Sequence, residues 1–154
     1  MRTAKDFPTL TPTVYTCELE WCPHCEAPLE VAQYVNGRKT VQTLNGIVRV
    51  AYRSKVCVRE ACAAAGLALP SATWAHVAPK YGTYGFDVIA QIGWTRQTEH
   101  AWFEKIQAQL APRIHISESQ VRYMYHRQYL PLMACQERQH LPELQTLART
   151  RGLI

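Results

Sequence analysis

Cys22-Pro-His-Cys25 and, thirty-two positions after its second cysteine, Cys57-Val-Arg-Glu-Ala-Cys62 are the stretches on which the reading of this chain turns. Two cysteines held two residues apart on a tight turn aim both sulfurs into one concavity, which is half of a tetrahedral metal site. The second pair supplies the other half. Between them lie Thr40-Val-Gln-Thr-Leu44, Asn45-Gly46 and Ile47-Val-Arg-Val-Ala-Tyr-Arg53, two β-rich runs across a dipeptide that favours the positive φ angles of a type I′ hairpin turn. A hairpin that carries one cysteine pair back to another is a ribbon, and a sheet this small cannot bury enough apolar surface to stand alone. A bound metal supplies the missing stability. The spacing therefore predicts one structural Zn2+ held by Cys22, Cys25, Cys57 and Cys62, closed on all four sides and without chemistry of its own. His24, inside the first knuckle, and Cys17 are the alternative ligands; Cys17 and Cys135 fit neither pair.

Composition sets the wider frame. The 154 residues, 47% hydrophobic and 19% charged, suit one medium globular domain or two small ones. The net charge of +5 divides into +2 over residues 1–66 and +3 over 67–154, so the excess is spread and points mildly to a polyanionic partner rather than to a basic tail. No apolar run is long enough for a signal peptide or a membrane span. The expected place is a reducing cytoplasm, where six cysteines are metal ligands or buried thiols rather than disulfides.

The expected fold class is α+β: a small β-hairpin zinc ribbon followed by a three-helix, helix-turn-helix domain. Residues 1–13, with two prolines and four threonines, read as a flexible leader. The ribbon takes 14–66, with strands near Val14 and from Leu29 to an Asn36-Gly37 turn, and 67–82 reads as a linker. The helical domain takes 83–135. Phe86, Ile89, Ile92 and Gly93 recur at helical spacing; a second helix begins near Glu99, carries Trp102, Phe103, Ile106 and Leu110, and stops at Pro112. Ser117 and Gln120 make a capping box for a third helix, which Pro131 should end. Val121, Met124 and Tyr125 line its inner side, and residues 136–154 form a C-terminal helix or tail.

The outward residues of that third helix are Ser117, Ser119, Gln120, Arg122, Tyr123, His126 and Arg127. Arginine can fork onto guanine, glutamine can pair with adenine, and serines at a helix N-terminus suit phosphate. Arg49, Arg53 and Lys55 of the ribbon would contact nearby phosphates. Catalysis is not expected. Asp6 and Asp87 are the only aspartates, and no carboxylate cluster, nucleophile motif or glycine-rich phosphate loop is present.

Trp21-Cys-Pro-His-Cys25, residues 40–50, the Cys57 to Cys62 knuckle, Ala68-Leu-Pro70, Gly85-Phe-Asp-Val-Ile-Ala-Gln-Ile-Gly93 and Ile116-Ser-Glu-Ser-Gln-Val121, in that order, resemble the N-terminal part of bacterial insertion-sequence transposases. Those proteins carry a zinc ribbon, a helix-turn-helix and then an RNase H-like catalytic domain. Here Gly152-Leu-Ile154 stands where that domain would open. The resemblance implies the front end that binds transposon ends, without the acidic residues of strand transfer, on double-stranded DNA in a bacterial nucleoid. Two other readings compete. One is an adaptor module with a protein partner, or a self-dimer, using Trp74, Trp94 and Trp102 as a surface. The other is a single-strand binder stacking bases on Tyr123 and Tyr129.

Overall fold

A computed structural model describes residues 10–151, and the chain divides into two compact units, one ending at Phe86 and the other starting at Asp87. The class is mixed α+β. Most of the expected leader, residues 1–9, and the closing Gly152-Leu-Ile154 lie outside the described residues.

The first unit holds two three-stranded sheets. Strands β1 (Thr13–Thr16), β3 (Gly37–Thr43) and β4 (Gly46–Arg53) form one, with β4 in the middle, antiparallel to β3 and parallel to β1. Strands β2 (Leu29–Val31), β5 (Lys55–Cys57) and β6 (Ala68–Leu69) form the other. The β3–β4 hairpin stands where the sequence placed it, but its turn differs. Thr43 pairs with Gly46 across Leu44 and Asn45, and positive φ falls on Gly46, at 118°, not on Asn45. The glycine thus acts as the bulge residue behind a turn rather than as the second half of a type I′ turn. Strand β2 stops at Val31, short of Asn36. The side chain of Asn36 instead accepts from the Ser54 N–H (2.9 Å) and hydroxyl (2.8 Å), which holds the corner between β4 and β5.

One face of the β1–β4–β3 sheet is apolar. Val41, Val50 and Ala78 are buried there with Tyr15, Trp74 and Val77 against them, each fully buried valine contributing about 1.5–3 kcal/mol. The adaptor reading puts Trp74 on an exposed surface. Trp74 instead lies half-buried with its ring 4.4 Å from that of Tyr52 and the Lys39 ammonium 4.3 Å above it. The stretch expected as a linker therefore contains β6 and the one-turn helix α1 (Ala72–Ala75), both folded onto the ribbon's own strands.

Helix α1 is too short to hold itself, and its start is secured by a carboxylate. Glu18 accepts from the Ser71 hydroxyl (2.7 Å) and from the N–H groups of Ala72 (2.8 Å) and Thr73 (3.0 Å). The Ser71 hydroxyl first, then the Thr73 hydroxyl and the two N–H groups, hold the Glu18 carboxyl well below the usual carboxylate range.

The second unit is helical. Helix α2 (Phe86–Thr98) buries Val88, Ile89, Ile92 and Gly93, the three-to-four spacing seen in the sequence. Helix α3 spans Phe103–Leu110 and ends before Pro112 as expected, but it starts four residues later than Glu99. His100 takes a positive φ of 52° and Arg96 donates to the carbonyls of His100 (3.4 Å) and Ala101 (2.9 Å), so residues 99–102 are a laced turn that leaves Trp102 exposed. Helix α4 (Glu118–Met124) opens on the expected capping box: Ser117 Oγ accepts from the Gln120 N–H, and the Gln120 side chain accepts from the Ser117 N–H. The connection from α3 to α4, residues 111–117, is seven residues long, where a helix-turn-helix uses three or four.

Pro131 does not end this helix. A π-turn, Tyr125–Tyr129, follows α4 without a break, and α5 (Leu130–Thr150) follows the π-turn. Proline lacks an N–H and its ring collides with the carbonyl four residues back; widening the preceding turn to an i→i+5 bond, here Leu130 N–H to Tyr125 O, moves that carbonyl aside. The π-turn also presses the Tyr129 ring onto Gly93 of α2, where a Cβ would fall inside the ring, while the Tyr129 hydroxyl bonds Gln97 at 3.0 Å.

Two outcomes test this account. Alanine in place of an open helical glycine adds about 1 kcal/mol, whereas overpacking costs about 1–3 kcal/mol; Gly93→Ala should therefore lower Tm, and a raised Tm would show that Tyr129 does not rest there. For Glu18 the folded pKa lies below the unfolded value of ~4.3, so its contribution is complete above that pH and fades as pH falls below it. Glu18→Gln should lower the urea midpoint at pH 7, the gap narrowing below about pH 4 because protonation of Glu18 removes its contribution from the unaltered chain while the glutamine variant has none to lose.

Candidate functional site

The two cysteine knuckles converge. Cys22, Cys25, Cys57 and Cys62 place their sulfurs all within 4.8 Å of one another. The Cys22–Cys62 and Cys25–Cys57 distances are 3.8 and 3.6 Å, far beyond the ~2.05 Å of a disulfide and close to the ~3.8 Å edge of a tetrahedron with ~2.3 Å metal–sulfur bonds. The donor set and its spacing therefore fit a tetrathiolate metal.

Local backbone builds each half. Around the first knuckle, Trp21 bridges Pro28, the Cys22 N–H donates to Ala27 O (2.8 Å) and the Glu26 N–H to Cys22 O (2.9 Å), closing a tight loop around Pro23 and His24. Around the second, the Ala65 N–H donates to Cys62 O (2.9 Å) and Cys57 bridges Ala65. Amide groups then turn toward sulfur. The His24 N–H, with that of Cys25, draws the Cys22 thiol down to about 7 against the opposing effect of burial. At Cys57 the Arg59 N–H pulls the same way, but burial and the neighbouring thiols outweigh it and push the group up to about 12. Cys62, which accepts the Ala64 N–H at 3.3 Å, is likewise raised, burial and neighbouring thiols outweighing that bond. Each N–H···S contact offsets thiolate charge, as do the donors that hydrogen-bond to the ligands of a bound metal. His24 is exposed and Cys17, though buried, is outside the cluster.

A different surface carries the helical candidates. Ser119, Gln120, Arg122, Tyr123, His126 and Arg127 are exposed on α4 and the π-turn, and all but Gln120 line one shallow groove with Glu118. They are not equally available. Gln120 spends its amide oxygen on the cap, and Ser117 and Ser119 bond each other at 3.0 Å. Arg122 pairs with Glu118 at 2.8 Å and lies 5.4 Å over Phe103. The His126 ring sits edge-on to Tyr125 and Phe103. Tyr123, 59% exposed, and Arg127 have no side-chain partner among the described residues. Tyr129, packed on Gly93, is not a free stacking ring.

In the ribbon, Arg53 is exposed and Arg49 half-buried, whereas Lys55 donates its ammonium to Leu19 O at 2.7 Å. Arg38 is the residue that sequence reading missed; hairpin pairing would have found it, since Thr40 opposite Arg49 puts Arg38 opposite Ala51 on the same face. No helix among the described residues is long and apolar enough to cross a membrane. No family model, curated protein or solved structure matches the chain.

The purified chain is expected to carry one equivalent of divalent metal after gel filtration, and Cys57→Ser to lose it. A chelator should abolish amide protection in β2, β5 and β6 while α2 to α4 keep theirs, because among the described residues the apolar packing of the thiol cluster comes from Ala64 and Leu29. A metal-free chain with those strands protected would refute the site.

Proposed function

We propose that this chain is a nucleic-acid-binding protein, built on one structural zinc, that lays the outer face of α4 and the π-turn in the major groove of duplex DNA. The observation that carries the reading is that face: Ser119, Arg122, Tyr123, His126 and Arg127 together around a groove whose single acid is Glu118. A surface Glu–Arg pair four residues apart is worth about 0.3–0.5 kcal/mol, and a bidentate arginine–guanine contact about 1–3 kcal/mol. Arg122 can therefore leave Glu118 for a base edge at small cost. Gln120 already gives its amide oxygen to the Ser117 N–H, so it is a weaker candidate as a base reader.

Zinc is the metal of choice because four thiolates in a tetrahedron are its commonest structural set. With all four positions filled by protein it has no place for substrate, so the proposed role of the centre is to fold the ribbon. Likeness to the front part of insertion-sequence transposases supports the same reading, as a transposon-end-binding module without strand transfer. The adaptor reading rests on exposed Trp94 beside Ala90, Tyr129 and Met133; a partner retained after nuclease treatment would favour it.

Titrating labelled duplex at several salt concentrations tests the proposal. Arg127→Ala should weaken binding about equally on all sequences and flatten the salt slope by ~0.9. Arg122→Ala should cost ~1–3 kcal/mol on the preferred site and relax specificity at one position. Salt-independent binding, or none at low salt, would overturn it.

A further inference from the structure

We infer that the outer face of the β1–β4–β3 sheet is a second docking surface, one that holds the phosphodiester backbone of duplex nucleic acid through Arg38, Arg49 and Arg53. The inference rests on the nucleic-acid reading but uses none of the α4 residues.

Strand register puts the three arginines on one face. Side chains alternate along a strand, and residues directly opposite each other share a side. Arg38 is opposite Ala51 and Thr40 opposite Arg49, while Thr16 of β1 is aligned with Arg53. Along β4 the outer face is thus Arg49, Ala51 and Arg53. The other face holds Tyr15, Lys39, Val41, Val50 and Tyr52, the set packed around Trp74.

Two neighbouring cations on β3 show the division. Lys39, on the inner face, bonds Ala78 O at 2.9 Å and lies over the Trp74 ring; burial lowers its pKa. Arg38, one residue away, is exposed, as is Arg53, while Arg49 is half-buried, and none of the three has an ion pair or side-chain hydrogen bond among the described residues. No acidic residue lies on these three strands. The nearest in sequence, Glu18, is fixed at the start of α1.

Geometry suits a backbone rather than bases. Arg49 and Arg53, four residues apart on one strand, are ~13 Å apart, and Arg38 sits between them on a strand ~4.8 Å away. Duplex DNA presents one negative charge per ~1.7 Å of axis, so a patch of that span faces several phosphates at once. Guanidinium forks match phosphate oxygens. Binding to single strands depends on aromatic rings on which bases stack, and the ring-bearing residues of this sheet, Tyr15 and Tyr52, belong to the inner face.

The test uses the full chain with its metal. A triple variant, Arg38→Gln, Arg49→Gln and Arg53→Gln, is compared with Arg127→Ala and with a triple Arg→Lys variant at the same positions, each checked for metal content and circular dichroism. If the sheet holds three phosphates, the triple Gln variant should flatten the salt slope for duplex by ~2.7 and weaken binding on the order of a hundredfold at 0.1 M salt, alike for all sequences. The Lys variant should keep the slope. It should also bind somewhat less tightly than the unaltered chain. An unchanged slope in the triple Gln variant, with Arg127→Ala still weakening binding, would overturn the sheet surface and leave the α4 reading standing. Absence of duplex binding by the unaltered chain at low salt would overturn both. Loss of binding to phosphatidylserine vesicles with duplex binding untouched would assign the face to a membrane and overturn the inference.

Discussion

Four sulfurs gathered within 4.8 Å set the terms for the first unit, because thiolates that close repel and thiols that close have little to offer one another. Charge is what makes the arrangement sensible. One amide-supported thiol is inclined to ionise and two are held back by burial and their neighbours, a set that a divalent cation would draw into one state by displacing the protons. What hangs from it is slight: strands of three, three and two residues, with Ala64 and Leu29 as the apolar packing. The neighbouring sheet has a separate source of stability in the Val41, Val50 and Ala78 cluster beneath Trp74. The first unit thus has one part gathered around its four thiols and another held by hydrophobic burial.

The features legible in the sequence were those with short-range rules. Knuckle spacing identified the four cysteines, β-branched alternation the hairpin, and a serine three residues before a glutamine the start of α4. Features decided by contacts across the chain were not legible. Trp74 sits among residues that look like a linker, and the approach of α1 to β4 is what packs it against the core. Lys55 carries an ordinary basic signature, but its ammonium is tied to a carbonyl thirty-six residues away. Pro131 reads as a helix terminator under any local rule, and the π-turn that accommodates it has no composition signature. The tryptophan before α3 was placed inside the helix because apolar spacing does not reveal a left-handed residue at His100. For the candidate helix face the residue set was readable, while the division between occupied and open side chains was not.

That division matters more than the net charge. A formal +5 describes the number of cations and nothing of their employment. Lys39, Lys55, Arg96 and Arg122 are each held by a carbonyl, a ring or a carboxylate, and their work is internal. Arg38, Arg49, Arg53 and Arg127 have no such ties among the described residues. A surface defined by the second group is smaller and more directional than any drawn from counting lysines and arginines.

The π-turn has one more consequence, which concerns phase. Each residue advances an α-helix by ~100°, and a turn that closes over five residues instead of four inserts one extra step. From 118 to 150 the backbone is a continuous rod, yet its two segments are out of angular step by about that amount. The buried side defined by Val121 and Met124 therefore does not extend along α5 in simple heptad counting, and Leu141 and Leu147 are exposed there. Any surface assigned along this rod has to be counted separately on either side of residues 125–129.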